Sequence, residues 1–418
     1  MNPKLKRILL IIGFIAVAVF FGYLIYRILF SPIIDTNDND NYNVNGILPN
    51  INAVNRPTGN INDNLNVNEA LPNINGTAQP EPPSQVASGG ITEVSKITED
   101  LTKSAVIDTN KKDLIYYDEL TGEFIKTSPD GTTKTKLTDD KYPGAEDIYW
   151  SPSRDKAVIT FPDRSKITYD FNLKKQYSLP KETYEFSFSP SSGKLAYKYQ
   201  GEQEGDNYLA VSDPEGTSAR LVEDLGQYAN QVTVNWAPNN QVIATYNKST
   251  STEEQEIIFL GANNENFPSV DVSGRGFKSK WSPTGNTILY SVFDKESNYN
   301  PSLHIMDGTM ENIGASQVDL NIQTWPDKCV FGDNNYIYCA VPEFLPSGSD
   351  IYPELANNVP DDFYKINLET GSKELLARPV NSSGFGNYTA QNVYLSNNEE
   401  YIYFTDKNTG RVYKIRLK

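Results

Sequence analysis

Four stretches of the chain place apolar side chains at every second position or nearly so: KLAYKY at 194–199, VIATYN at 242–247, TILYSV at 287–292 and YIYCAV at 336–341. Successive side chains of an extended backbone point to opposite faces, so this pattern predicts strands with one face in a core. Each run has the same prelude of an aromatic, a small residue and a polar turn, as in WSPTGN at 281–286, FSPSSG at 188–193 and WAPNNQ at 236–241. A third strand is predicted at NYLAVSD (207–213), EIIFLG (256–261), SLHIMDG (302–308) and FYKINLE (363–369). A fourth follows at TSARLVE (217–223) and SKELLAR (372–378). Glycine, proline and asparagine cluster between the runs, where reversals need them.

Aligned on the aromatic position, the units start near Ile107, Trp150, Phe188, Trp236, Trp281, Phe331 and Leu395. Most spacings are 38 to 50 residues, and the last is 64 because of an insertion. A repeat of that length with four short strands per unit predicts an all-β, seven-bladed β-propeller, with six or eight blades as the alternative counts. The seventh unit supplies three strands before Lys418. The alternating segment at 91–99 is therefore expected to close the last blade. Trp150, Trp236 and Trp281 are read as packing between blades.

The first residues follow another pattern. Lys4, Lys6 and Arg7 precede an unbroken apolar run at 8–30, which carries one charge, Arg27. Its 23 residues would span about 35 Å as a helix, enough for a bilayer core of about 30 Å. The basic flank places residues 1–7 in the cytoplasm and the propeller outside a plasma membrane as a single-pass protein. The Asn-rich stretch at 31–90 cannot bury a core and is read as a disordered linker. Its DTNDNDNYNVNG segment has Asp40 where a calcium loop needs glycine. The propeller is assigned to 91–418.

WSPTGNTILYS at 281–291 and FSPSSGKLAYKY at 188–199 resemble the repeats of TolB-type, WD-like propellers. Where that family places Asp-Gly after the proline, this chain has SRD, SSG, NNQ and TGN. The resemblance implies a propeller that binds partners in a bacterial envelope.

Chemistry is thinly represented. The net charge is −16, which disfavours nucleic acid. One histidine, His304, lies on a predicted strand, and no GxSxG elbow accompanies it. No catalytic residue, cofactor or metal site is assigned, because a histidine-based zinc site needs several ligands. Cys329 and Cys339 sit on the two arms of one predicted hairpin, close to directly opposite. In an extracytoplasmic compartment they are expected to form a disulfide.

The connections between second and third strands are the long ones: 200–207, 247–256, 293–302 and above all 342–362. In a propeller these share a face with the connections entering each inner strand. On that face Tyr228, Gln231, Phe344, Leu345, Ile351, Tyr352, Tyr388 and Gln391 are the candidate binding residues. The expected function is a membrane-anchored, non-enzymatic binding or scaffold module for an envelope protein, peptide or glycan. A carboxylate-based hydrolase or lyase at the channel is the alternative.

Overall fold

A computed structural model describes residues 82–203, 205–263, 265 and 267–418. The expected cytoplasmic segment, the membrane helix and the linker as far as residue 81 lie outside the described residues. Among those described, no helix is long and apolar enough to cross a membrane.

Seven antiparallel sheets, each with four strands at its heart, make an all-β, seven-bladed β-propeller. Blade 3 shows the plan: inner strand Thr183–Phe188, then Leu195–Gln200 and Asn207–Ser212, then outer strand Arg220–Asp224. The inner strands of blades 1, 2, 5, 6 and 7 end at Ile107, Trp150, Trp281, Phe331 and Leu395. In blade 4 the strand Val232–Val234 stops two residues before Trp236.

The recurring prelude has one structural cause. In blade 2 the Ser151 amide donates to the Lys156 carbonyl and the Arg154 amide to the Ser151 carbonyl. Ser189, Ala237 and Ser282 repeat this pair of bonds in blades 3, 4 and 5. The fourth residue of each turn is left-handed: Arg154, Ser192, Asn240 and Gly285 have φ of 59°, 59°, 65° and 74°. This is a type I turn closed by a left-handed residue, a common short hairpin. The proline occupies the position where its fixed φ fits such a turn.

The aromatic ahead of each turn fills the wedge between blades. Trp150 packs on Phe124 of blade 1 at 5.5 Å and on Phe171 at 5.5 Å, and its Nε1–H donates to the Ser104 carbonyl of blade 1. Trp236 lies in one core with Val211 and Val222 of blade 3, and Trp281 in one with Phe259 of blade 4. None of the three is a stacking platform.

Ring closure differs in part from expectation. Ser95–Lys96 pairs antiparallel with the third strand of blade 7, Arg411–Arg416, as the missing outer strand. Gly90–Glu93 instead runs parallel to Lys373–Val380, adding a fifth strand to blade 6. The chain thus bridges two blades, since the Val94 amide donates to Val380 and the Ile97 amide to Val412. A parallel pairing leaves no mark in the period-two pattern, which is the same for both orientations. Residues 82–89 also lie against the fold, with Ser84 bridged to Thr92 and the Ala87 amide bound to the Arg416 carbonyl.

Cys329 and Cys339 are directly opposite, 4.1 Å apart at Cα, and joined by a disulfide. Replacing both by serine is expected to lower the unfolding free energy by about 2–3 kcal/mol, from the short loop released. Urea titrations of both forms measure the difference, and equal midpoints would remove the disulfide from the list of stabilising elements.

Candidate functional site

The 342–362 insertion and the approach to the inner strand of blade 6 build a funnel. That inner strand is only Cys329–Phe331, and the segment before it forms a 3₁₀ turn, Pro326–Lys328. Proline at the turn's start removes an amide that would otherwise lack a partner. A recess opens beside this turn. Lys278 and Ser279 of blade 5 and Thr389, Ala390 and Gln391 of blade 7 flank the recess, while Pro353, Ala356 and Asn357 roof it. The resulting cleft measures about 430 Å³. A second hollow of about 270 Å³, lined by Lys280, Asn392, Val393 and Tyr394, shares Ser279 and Asp327 with the first. The two hollows adjoin at these shared residues.

Bulges aim the inner-strand side chains here. Register slips between Arg275 and Lys278 in blade 5 and between Gln391 and Tyr394 in blade 7. The inner strands of blades 1 and 3 slip at the equivalent place, so the bulge belongs to the repeat and re-aims inner-strand side chains in several blades. Asn392 sits at φ 52° and Gly276 at φ 68°. A Cβ at Gly276 would come within 2.8 Å of the Asp350 carboxylate and closer still to the Phe293 ring, so only glycine fits.

Buried charge pins the insertion. The Asp350 side chain is 1% exposed and accepts from Trp325 Nε1 at 2.6 Å and from Lys278 Nζ at 2.9 Å. Its Oδ2 has no partner. Leu345 packs on Trp325, Ala356 and Val359. The Gly348 and Asp350 amides donate to the Asn298 and Tyr299 carbonyls of blade 5. Below, Lys328 Nζ donates to both oxygens of Asp361 at 2.7 Å, and the Ala390 amide donates to Asp361 at 2.6 Å. Burial pushes the Asp361 carboxyl up, against the pull of the Lys328 ammonium.

Lys280 has a different setting. It lines the channel, and its ammonium donates to the Cys329 carbonyl at 2.5 Å. Among the described residues it forms no ion pair with a carboxylate. Protein crowds it while water still reaches part of the side chain, and this desolvation pushes its pKa down to about 8, with Asp327 opposing the shift.

The sequence-derived binding residues fall into two groups. Phe344, Ile351 and Tyr352 lie exposed on the insertion, at 61%, 46% and 58%, and Leu355 joins them at 45%. Leu345 is turned inward as an anchor, and Gln391 lines the cleft. Tyr388 is half-buried, packed on Tyr413 at 4.9 Å and Phe404 at 6.1 Å, and burial raises its phenol to about 12. It belongs to the core between blades 6 and 7 more than to a surface. Tyr228 and Gln231 lie elsewhere, on the 3₁₀ segment Gly226–Gln231 between blades 3 and 4. There Tyr228 faces Tyr246 at 6.0 Å over a separate hollow of about 340 Å³.

Sequence reading missed Lys278, Lys280, Trp325, Lys328, Asp350 and Asp361. One signal was present: the tryptophan of TWPDKC precedes its strand instead of ending it. His304 stacks on Tyr290 at 5.2 Å within blade 5, and burial pushes its pKa down. Among the described residues, no group of three or more His, Cys, Asp or Glu side chains is placed to hold a metal.

No family model matches the chain, and no curated protein matches it. Solved structures with a similar fold include the propeller domain of Myceliophteria thermophila Cps50 (Swd1), with a TM-score of 0.51 at 10% identity over 78% of this chain and 100% of that one. The tricorn protease gives 0.50 at 9% identity, over 78% of this chain and 34% of its own. Oligogalacturonate lyase in complex with manganese gives 0.49 at 12% identity, over 78% and 89%. At such identities these likenesses concern architecture alone, and it is by its own seven sheets that the chain is a seven-bladed β-propeller.

Proposed function

We propose that the chain is a membrane-anchored, extracytoplasmic propeller that binds a partner in the cell envelope without catalysing a reaction. The observation that carries the reading is the insertion. Its base is locked by Asp350, Trp325 and Leu345, while Phe344, Ile351, Tyr352 and Leu355 stand exposed beside the cleft. Anchored apolar residues around a pocket are the usual anatomy of a binding surface. The apolar run at 8–30 supports the anchor, and the TolB-like repeat supports the envelope setting.

The test keeps the anchor and removes the surface. The variant Phe344→Ser/Tyr352→Ser/Leu355→Ser is expected to keep the melting temperature of the parent, because the three side chains contribute little to the core. Capture of partners by the full chain from solubilised membranes is expected to fall at least about tenfold, the loss of one modest hot spot. Unchanged capture would place the binding surface elsewhere on the ring.

A further inference from the structure

We propose that the funnel between blades 5, 6 and 7 receives the C-terminal end of an extended peptide, with the peptide's α-carboxylate held in the channel beside Lys280. This rests on the binding-module reading and names the ligand of its site.

Among the described residues Lys280 is the one cation that lines the inner hollow. Lys278 is matched by Asp350 and Lys328 by Asp361, and Lys407 sits at the mouth against the Asn357 side chain. The ammonium of Lys280 has three N–H groups, and the only acceptor it meets among the described residues is the Cys329 carbonyl. An unmatched charge removed from water is costly, and an entering anion offsets that cost. The chain carries a net charge of −16, so an uncompensated cation in a channel is not a by-product of general basicity.

The neighbours suit a carboxylate. Ser279, Asn392 and Tyr394 line the same hollow and carry polar hydrogens. The charged and titratable groups facing Lys280 are Asp327 from the 3₁₀ turn and Tyr394 from blade 7, with Lys278 two residues along its own strand. Asp327 is exposed at the junction of the two hollows, where water screens its charge.

Shape favours a chain end. A hollow of about 270 Å³ behind a cleft of about 430 Å³ admits the last residue or two of an extended strand. The residues before the terminus would lie in the cleft against Pro353 and Ala356, at the foot of the exposed apolar set. Apolar side chains leading to a terminal acid describe a peptide C-terminus better than an acidic sugar, and capture of a terminal carboxylate is a known recognition mode.

The full chain is immobilised and offered two pools of random hexapeptides, one with free C-terminal carboxylates and one amidated, and separately oligogalacturonate as an acidic sugar. The acid pool is expected to be retained at least about tenfold over the amide pool, the scale of one charge-assisted hydrogen bond. Lys280→Met abolishes that preference, Lys280→Arg keeps most of it, and Lys181→Met on the outer surface leaves it unchanged. Retention of the acid pool weakens as pH rises above about 8, where free Lys280 loses its proton. Equal retention of both peptide pools, a preference that survives Lys280→Met, or retention of oligogalacturonate alone would each overturn the proposal. Melting curves are taken for every variant, and Lys280→Gln, which removes the charge but keeps a polar end, carries the comparison with the same expected loss should Lys280→Met fail to fold. Partner capture that is lost in the Phe344/Tyr352/Leu355 variant, combined with no preference for acid, overturns this assignment while the binding-module reading stands.

Discussion

Replacing Ile97 by aspartate is expected to open the ring between blades 7 and 1. Ile97 is 5% exposed and packs in one core with Ala105, Leu114, Tyr116 and Ile125 of blade 1 and Tyr403 and Val412 of blade 7. Its amide also holds the closing segment to the Val412 carbonyl. Truncation to alanine is expected to cost about 2–5 kcal/mol, from lost burial and the cavity left behind. Aspartate adds the cost of putting a carboxyl into that core, which it meets by taking up a proton or by expelling the segment. The loss is local before it is global. Amides of Arg411–Arg416 are expected to exchange early, while those of blades 3 and 4 stay protected. Hydrogen exchange with mass readout measures this directly. Uniform exchange around the ring, or a melt equal to that of the parent, would show that the closing segment is no latch.

The second large effect is expected at the buried ion pair of blade 6. Lys328→Met leaves the Asp361 carboxylate, which is fully buried, with the Ala390 amide as its remaining donor. Breaking one side of such a pair typically costs about 3–5 kcal/mol, because the surviving charge stays in a poor solvent. The double variant Lys328→Met/Asp361→Leu is expected to recover most of the loss, since a well-packed apolar pair of similar volume avoids the desolvation of both charges. Denaturant titrations of the two single variants and the double variant close the cycle. A single-variant cost under about 1 kcal/mol, the range of exposed pairs, would mean that water enters the site. The location gives this pair weight. Lys328 ends the turn beside the recess, Asp361 ends the insertion, and Ala390 begins the inner strand of blade 7. One ion pair thus ties together three walls of the funnel.

The strands were legible because their signals are local. TILYSV reads as a strand wherever it is placed, and SPTG reads as a type I turn because proline fixes one dihedral and glycine permits the left-handed residue that closes it. The interblade tryptophans were legible for the same reason, since each precedes the turn at a repeating position, Trp150 and Trp281 as the last residue of a strand and Trp236 two residues beyond one. Leu345 and Tyr388 show where such reading stops. An apolar residue on a long loop looks the same whether it faces solvent or a neighbouring blade, and Trp325 with Val359 decided the first case, Tyr413 with Phe404 the second. The closing segment was found by its alternation, but alternation does not say which of two adjacent sheets a strand will join.

Lys278 and Lys280 mark the boundary between the two sources of information. In FKSKW they are two lysines on one face of one strand, alike in every local respect. In the fold the first meets Asp350, 72 residues away, and the second meets the Cys329 carbonyl, 49 residues away. By itself the sequence determined a repeat of short strands, its turns and the aromatics that pack between units, because backbone sterics and burial period act over a few residues; the count of seven, against six or eight, came from the sheets themselves. Only the tertiary structure decided which charges are paired, which apolar residues are anchors and where a recess opens. Those depend on desolvation and on side chains brought together by closing the ring.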